Sequence, residues 1–278
     1  MTAGTADEPA GQLGGVQETL FIPLVARARE SSRKRPLLRD PKAAEMVRSI
    51  GLDTARYSRG AGGAFFVMRT AILDTWVRAF LAGHPAGTVV EIGAGLNTRF
   101  ERVDNGQAHW IDLDLPDVRQ SPGPYFFAAE AVLAYLPEDQ ATQALARIAA
   151  QFPGALVALD TCTQRTLDRQ HRVSAKRNLH ARLAWACDDP RSLERLGLHM
   201  LESVTLARPP AARRAQLPPL YRYLLPLADP LLRRVLTIAL LQASSLPPPG
   251  GAGRQAQLRA QDARQLEQRH RADYRVRT

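Results

Sequence analysis

The stretch Thr88-Val89-Val90-Glu91-Ile92-Gly93-Ala94-Gly95 constrains this chain more than any other. A short β-branched run leading into glycines reads as a buried strand of the kind that parallel α/β sheets use. The glycines let the backbone approach a ligand closely. Beyond them Asn97-Thr98 opens a short helix through Val103, whose N–H groups face the same space. About twenty residues on, Trp110-Ile111-Asp112-Leu113-Asp114 reads as a second strand that ends in acids. An acid there can hold both hydroxyls of a ribose. Many nucleotide-type cofactors are held by this pairing.

A lone Gly-x-Gly is common by chance, and this one gains weight from its place between a strand and a helix start. Thr98 stands where a dinucleotide fingerprint has its third glycine, which points to S-adenosylmethionine rather than NAD. Tyr125 to Ala129, Leu156 to Asp160, Leu198 to Leu206 and Val235 to Gln242 read as further strands. Helices are expected over Thr19–Arg35, from Pro41 to Ile50 behind an Asp40 cap, and over Phe65–Ala82. Others should run from Leu136-Pro137 past Ile148, over Thr166–Ala186, and from Asp189-Pro190 to Gly197. Such alternation implies a mostly parallel sheet with helices on both faces and a ligand at the carboxyl ends of its strands. Gly93, Gly95, Asp114, Glu130 and Asp160 all fall at such ends, so one site can gather them.

The helix over Phe65–Ala82 shows an apolar stripe of Phe65, Met68, Ile72, Leu73, Trp76 and Phe80, with Thr70, Asp74 and Arg78 opposite. Arg69 lies on or beside that stripe and must find an anion, because a buried unpaired charge is very costly. It serves either as a structural partner of a core acid or as a two-pronged clamp on a ligand carboxylate. The residue pattern leaves both open.

Three motifs together resemble the leucine carboxyl methyltransferase family, and more closely its bacterial branch of polyketide-type O-methyltransferases. They are Val90-Glu91-Ile92-Gly93-Ala94-Gly95-Leu96-Asn97-Thr98-Arg99, Asp112-Leu113-Asp114-Leu115-Pro116, and Ala129-Glu130-Ala131-Val132-Leu133-Ala134-Tyr135-Leu136-Pro137. The segments from Arg27-Ala28-Arg29-Glu30 to Asp40-Pro41-Lys42-Ala43, and Val67-Met68-Arg69-Thr70, are similar to the family's N-terminal helices. The resemblance implies a class I methyltransferase (Rossmann-like) fold whose last strand is antiparallel. It also implies S-adenosyl-L-methionine as cofactor and a small-molecule acceptor methylated on a carboxylate or hydroxyl. The family's basic residue in the N-terminal helix maps to Arg29, and its carboxylate-gripping arginine to Arg69. The glycine turn maps to Gly93 and Gly95, preceded by Glu91; the ribose acid is Asp114 with Asp112 as its rival, and the acid of the next motif is Glu130.

One departure stands out. The family places a helix, a third strand and another helix between the ribose acid and the strand before Glu130. Here only Leu115 to Pro124 intervene, ten residues. Ten extended residues reach about 33 Å, just enough to return along a strand of about 17 Å and step sideways over roughly 10 Å of sheet. The chain is therefore expected to lack that strand, its flanking helices and the wall that holds the adenine ring. A catalytically impaired remnant of the fold is the alternative to an active enzyme.

Methyl transfer from a sulfonium is an in-line displacement in which positioning supplies much of the rate. A carboxylate acceptor needs no base; a hydroxyl needs one, for which Asp160 and His171 are candidates. His171 also adjoins the helical stripe of Leu167, Ala175 and Leu179, and a packing role suits it better.

Composition narrows the remainder. The net charge is +10, but 37 basic residues less three lysines leaves 34 arginines, scattered and not interleaved with aromatics. No nucleic-acid partner is expected from such a pattern. No apolar run is long enough to span a membrane, and residues 1–15 lack a signal core, so a cytoplasmic protein with no membrane partner is expected. Cys162 and Cys187 suit a reducing compartment, and neither they nor the six histidines show metal-ligand spacing. The expected layout is a disordered segment 1–18, a methyltransferase domain 19–242 and a basic tail 243–278. Within the domain, 19–83 is a helical lid and 84–242 an α/β core with a late insertion at 208–234.

Overall fold

Thr88–Ile92 forms strand β1 and His109–Leu113 forms strand β2, and the two pair in parallel with Glu91 opposite Asp112. The computed structural model describes residues 20–52, 54–57, 63–113, 123–177, 182–217 and 219–244. Among these the sheet has six strands. Tyr125–Ala129 is β3, Leu156–Cys162 is β4, Leu198–Val204 is β5 and Leu236–Ala243 is β6. The spatial order is β2-β1-β3-β4-β6-β5, with β6 antiparallel to both its neighbours and the other pairings parallel.

Strand alternation explains why these segments read as continuous apolar runs. Val90, Phe127 and Leu159 face one core, while Val89, Phe126 and Ala158 face the other, and all are nearly or fully buried. The first core is closed by helix Glu138–Gln151 and the turn Pro190–Leu196; the second is closed by the long helix Gly63–Gly83. Numbered in chain order, the helices before the sheet are α1 (Phe21–Ser31), α2 (Pro41–Ile50), α3 (Thr54–Tyr57) and α4 (Gly63–Gly83). Those that follow are α5 (Arg99–Val103), α6 (Glu138–Gln151) and α7 (Gln164–Arg177). Three short ones lie in the late insertion: α8 (Ala211–Gln216), α9 (Pro219–Leu224) and α10 (Asp229–Leu232). Asp40 caps α2 as its sequence implies, accepting from the Ala43 N–H at 2.9 Å, and Phe21, Leu24, Val25 and Ala28 of α1 pack on Ala43 and Val47 of α2.

Two expectations are corrected. Helix α4 has no polar face over its middle: Thr70 and Asp74 are as fully buried as Ile72 and Leu73, and only Arg78 of the three is exposed. They are buried because they meet charged partners, described below. The helix expected over Thr166–Ala186 is described only as far as Arg177, and residues 182–187 are not helical. There Trp185 and Cys187 enter the first core, and the N–H groups of Ala184 and Trp185 donate to the Ala134 carbonyl. The link from β2 to β3, the segment 1–18 and nearly all of the tail lie outside the described residues. No described helix is long and apolar enough to cross a membrane.

Candidate functional site

The turn after β1 builds one wall of a small cavity. Gly93 has φ +62°, and a Cβ on it would stand 2.7 Å from Val132 Cγ2, so this backbone has room for no side chain. Val132 belongs to the segment after β3, which brings Glu130 and Ala131 to the same cavity. Arg27 and Pro23 of α1, Arg69 of α4, Glu91 at the end of β1, and Ala94, Leu96 and Asn97 complete much of the lining. Its volume is about 80 Å³.

The charged residues of this lining continue downward into a connected network. Arg27 Nε donates to Asp40 Oδ2 at 2.9 Å, and the same oxygen takes Arg102 Nη1 at 2.8 Å. Arg102 and Arg99 both grip Asp74, with Nε contacts at 2.8 and 2.9 Å. Arg99 then spreads its remaining nitrogens over Glu91 and Glu130. Glu130 also receives Arg69 Nε at 3.1 Å and the Thr70 hydroxyl at 2.7 Å, and Arg69 Nη1 reaches Asp160 at 3.4 Å. The Thr98 hydroxyl donates to Asp40 instead of capping α5. The sequence folds this way because α4 carries Arg69 and Asp74 on buried faces, while α5 sets Arg99 and Arg102 one turn apart above them.

Burial and charge pull the acids in opposite directions. Burial pushes the carboxyls of Asp74 and Glu130 up, but their arginine contacts outweigh it and hold both below the usual range. For Glu91 and Asp160 burial wins over the single arginine that each meets, and both are raised. Arg27 is lowered by burial and by Arg102, whereas Arg99, Arg102 and Arg69 are raised because their acids outweigh burial.

Of the residues read as cofactor-binding, Arg69, Glu91, Gly93 and Glu130 share the cavity. Gly95 is also left-handed, at φ +51°, and packs under Leu20 just outside the lining. Arg29 is not brought there. It is exposed on the other side of α1, and Arg27, two residues earlier, faces the cavity in its place, since two positions turn a helix through about half a circle. Asp112 is exposed near the end of β2, and Asp114 lies outside the described residues. Asp160 stands one layer behind the lining, its Oδ1 accepting the Ala131 N–H at 2.6 Å. His171 does not line the cavity and is exposed, with Nε2 2.6 Å from the Leu183 carbonyl oxygen. The network partners Asp40, Asp74 and Arg102 were not singled out from sequence for this site. The usable signal was two charges of opposite sign, Arg69 and Asp74, inside the most apolar helix.

The donor set suits the methionine end of S-adenosylmethionine: guanidiniums for its carboxylate, acids for its ammonium, and a backbone too crowded for any Cβ. A leucine carboxyl methyltransferase family model matches residues 21–121. The tetracenomycin polyketide synthesis O-methyltransferase of Streptomyces glaucescens is 31% identical over 214 residues, covering 66% of this chain and 79% of that protein. The chain belongs to the leucine carboxyl methyltransferase family. It is thus an S-adenosylmethionine-dependent methyltransferase, with that compound as its cofactor. A second relative, an S-adenosyl-L-methionine-dependent methyltransferase of Gibberella zeae, is 31% identical over 129 residues, 42% of this chain and 43% of its own. Among solved structures, a DUF574 family protein from Streptomyces avermitilis aligns over 78% of this chain and 96% of its own with a TM-score of 0.44 and 16% identity.

Proposed function

We propose that this methyltransferase transfers its methyl group to a carboxylate or hydroxyl oxygen of a polyketide-like small molecule. The observation that carries this reading is the 31% identity to a polyketide O-methyltransferase over 79% of that protein's length. In this reading Arg27 and Arg69 hold the cofactor's carboxylate, Glu91 and Glu130 face its ammonium, Gly93 and Gly95 let the backbone close on it, and Asp112 or Asp114 takes the ribose. When bound, the cofactor supplies an activated methyl on a sulfonium. The protein's part is to orient the acceptor oxygen in line with it and to exclude water. A carboxylate acceptor arrives ionised and asks for no base.

We further propose that the family's third strand and its flanking helices are absent. Two observations support this. Among the described residues β2 pairs with β1 alone and forms an edge of the sheet. The match to the Streptomyces protein runs over 214 positions but spans 66% of 278 residues here, about 183, so it passes over about thirty positions of the relative. A cavity of about 80 Å³, against about 300–1,000 Å³ for typical ligand sites, then holds the amino-acid end of the cofactor and leaves the nucleoside beyond it. This favours a second reading, a remnant with weak cofactor binding. Calorimetric titration separates the two. Micromolar binding of S-adenosylmethionine that weakens in Asp114→Ala, with S-adenosylhomocysteine formed in the presence of aromatic polyketide acids or phenols, supports the enzyme. Absence of binding at millimolar ligand overturns it.

A further inference from the structure

The buried network under the cavity holds four arginines and five acids, and no side chain in it is more than 9% exposed. Within this set of ion pairs one negative charge is therefore left over; Arg213, a further buried arginine that feels Asp74, spends its guanidinium on the Leu37 carbonyl and Gln216 instead. An uncompensated buried charge is costly enough that the group takes a partner or a proton instead. Contact geometry identifies the acid concerned. Asp74 meets two arginines, Asp40 meets two, and Glu130 meets two and a hydroxyl. Glu91 has a close Arg99 contact and the Asn97 amide at 3.2 Å. Asp160 accepts the Ala131 N–H at 2.6 Å, but its only guanidinium contact in the network is at 3.4 Å, the longest ion pair there, from an arginine already committed to Glu130 at 3.1 Å.

The groups that face Asp160 do not repair this. Arg69 comes from α4 and Glu130 from the end of β3. Tyr135 comes from the turn after Glu130, and Cys162 lies on its own strand. One is a cation, one an anion and two are neutral at pH 7. Burial and the nearby Glu130 raise the carboxyl, although Arg69 and the Ala131 N–H pull the other way.

We propose that Asp160 is the excess acid of the network, and that it makes the site distinguish a sulfonium ligand from a thioether by charge. This rests on reading the cavity as the cofactor site. S-adenosylmethionine carries a carboxylate, an ammonium and a sulfonium, one positive charge in all; S-adenosylhomocysteine carries none. In the ligand-free protein Asp160 keeps a proton and the network is neutral. When the sulfonium ligand binds, Asp160 releases that proton to solvent and the site is neutral again. When the thioether binds, Asp160 keeps it. Asp160 acts as a specificity residue through Arg69 and not as a base toward the acceptor.

Calorimetry at neutral pH in buffers of different ionisation enthalpy tests this on the full chain. About one proton is expected to leave per S-adenosylmethionine bound, and about none per S-adenosylhomocysteine. Below the pH at which Asp160 loses its proton, affinity for the sulfonium should fall about tenfold per pH unit while that for the thioether stays flat. Asp160→Asn should bind S-adenosylmethionine without releasing a proton. Sulfonium binding with no proton release, equal release with both ligands, or release that survives in Asp160→Asn overturns the inference and leaves the cofactor reading standing. Should Asp160→Asn fail to fold, the two ligands compared on the unmodified protein decide the matter. Failure of both ligands to bind overturns the cofactor reading itself, and this inference with it.

Discussion

Asp74, in the middle of α4, holds Arg99 through Oδ1 at 2.9 Å from Nε, and both side chains are completely buried. Its other oxygen takes Arg102 Nε at 2.8 Å, so one carboxylate fixes the two arginines that reach from α5 to the rest of the network. Removing it strands two guanidiniums without their common acid. Breaking a buried pair from one side costs about 3–5 kcal/mol. Asp74→Ala should lose stability of that order in urea unfolding. Arg78→Ala, one turn along but exposed, with one hydrogen bond to the Arg102 carbonyl at 3.0 Å, should cost less, about 0.5–1.5 kcal/mol. Equal effects of the two would show that the network adds nothing to the fold.

Gly93 and Gly106 separate two penalties that a turn glycine can hide. Both have positive φ, +62° and +75°, but a Cβ on Gly93 meets Val132 at 2.7 Å whereas one on Gly106 meets nothing within 4 Å. Gly106→Ala should therefore show only the left-handed cost of about 1–2 kcal/mol. Gly93→Ala should add an overpacking cost of about 1–3 kcal/mol and push Val132 and Ala131 into the cavity, so that S-adenosylmethionine binding falls with stability. Thermal unfolding with and without the ligand checks both halves.

Much of this was legible in sequence because it depends on local pattern. The β-branched run at Thr88–Ile92, the proline at the start of α2 and the glycine after β1 each impose their structure within a few residues. The polar burial of Thr70 and Asp74 was not legible. Helical periodicity puts them opposite the apolar stripe, and their partners Glu130, Arg99 and Arg102 come from segments 25 to 60 residues away. That Arg27 faces the cavity and Arg29 does not was not legible for a related reason. Both are arginines on one helix, and only the packing of α1 against α2, with Asp40 at its centre, says which side faces inward. The overlong helix after Thr166 failed where Trp185 and Cys187 had a core to enter, so tertiary burial overrode local helix propensity.

Arg27 and Arg29 also give the sharpest test of the cavity as a cofactor site. Arg27 lines it, with Nη2 donating to the Leu96 carbonyl at 2.6 Å, while Arg29 faces solvent. A charge-assisted contact to a ligand carboxylate is worth about 1.5–3 kcal/mol, which is about ten- to a hundredfold in affinity. Arg27→Ala should lose that much for S-adenosylmethionine, and Arg29→Ala should remain within about twofold. Loss in Arg29→Ala alone would reverse the assignment made from the packing of α1.

The acids of the network give stability two opposed dependences on pH. Asp74 and Glu130 are held below their ordinary range by their arginines, even though burial pushes the other way. Their folded forms bind a proton less readily than the unfolded chain, so they contribute stability above the ordinary carboxylate range that is lost as pH falls through their folded values. Asp160 and Glu91 are raised by burial. There the unfolded chain gives up its proton first, so their contribution is complete at low pH and is lost as pH rises from the ordinary range to the folded value. Unfolding free energy measured by denaturant from pH 3 to pH 8 should therefore show an acid limb that Asp74→Asn weakens. Asp160→Asn should leave that limb in place and remove a decline on its upper side. If both variants altered the same limb, Asp160 would be as well compensated as Asp74, contrary to the single long contact that it makes with Arg69.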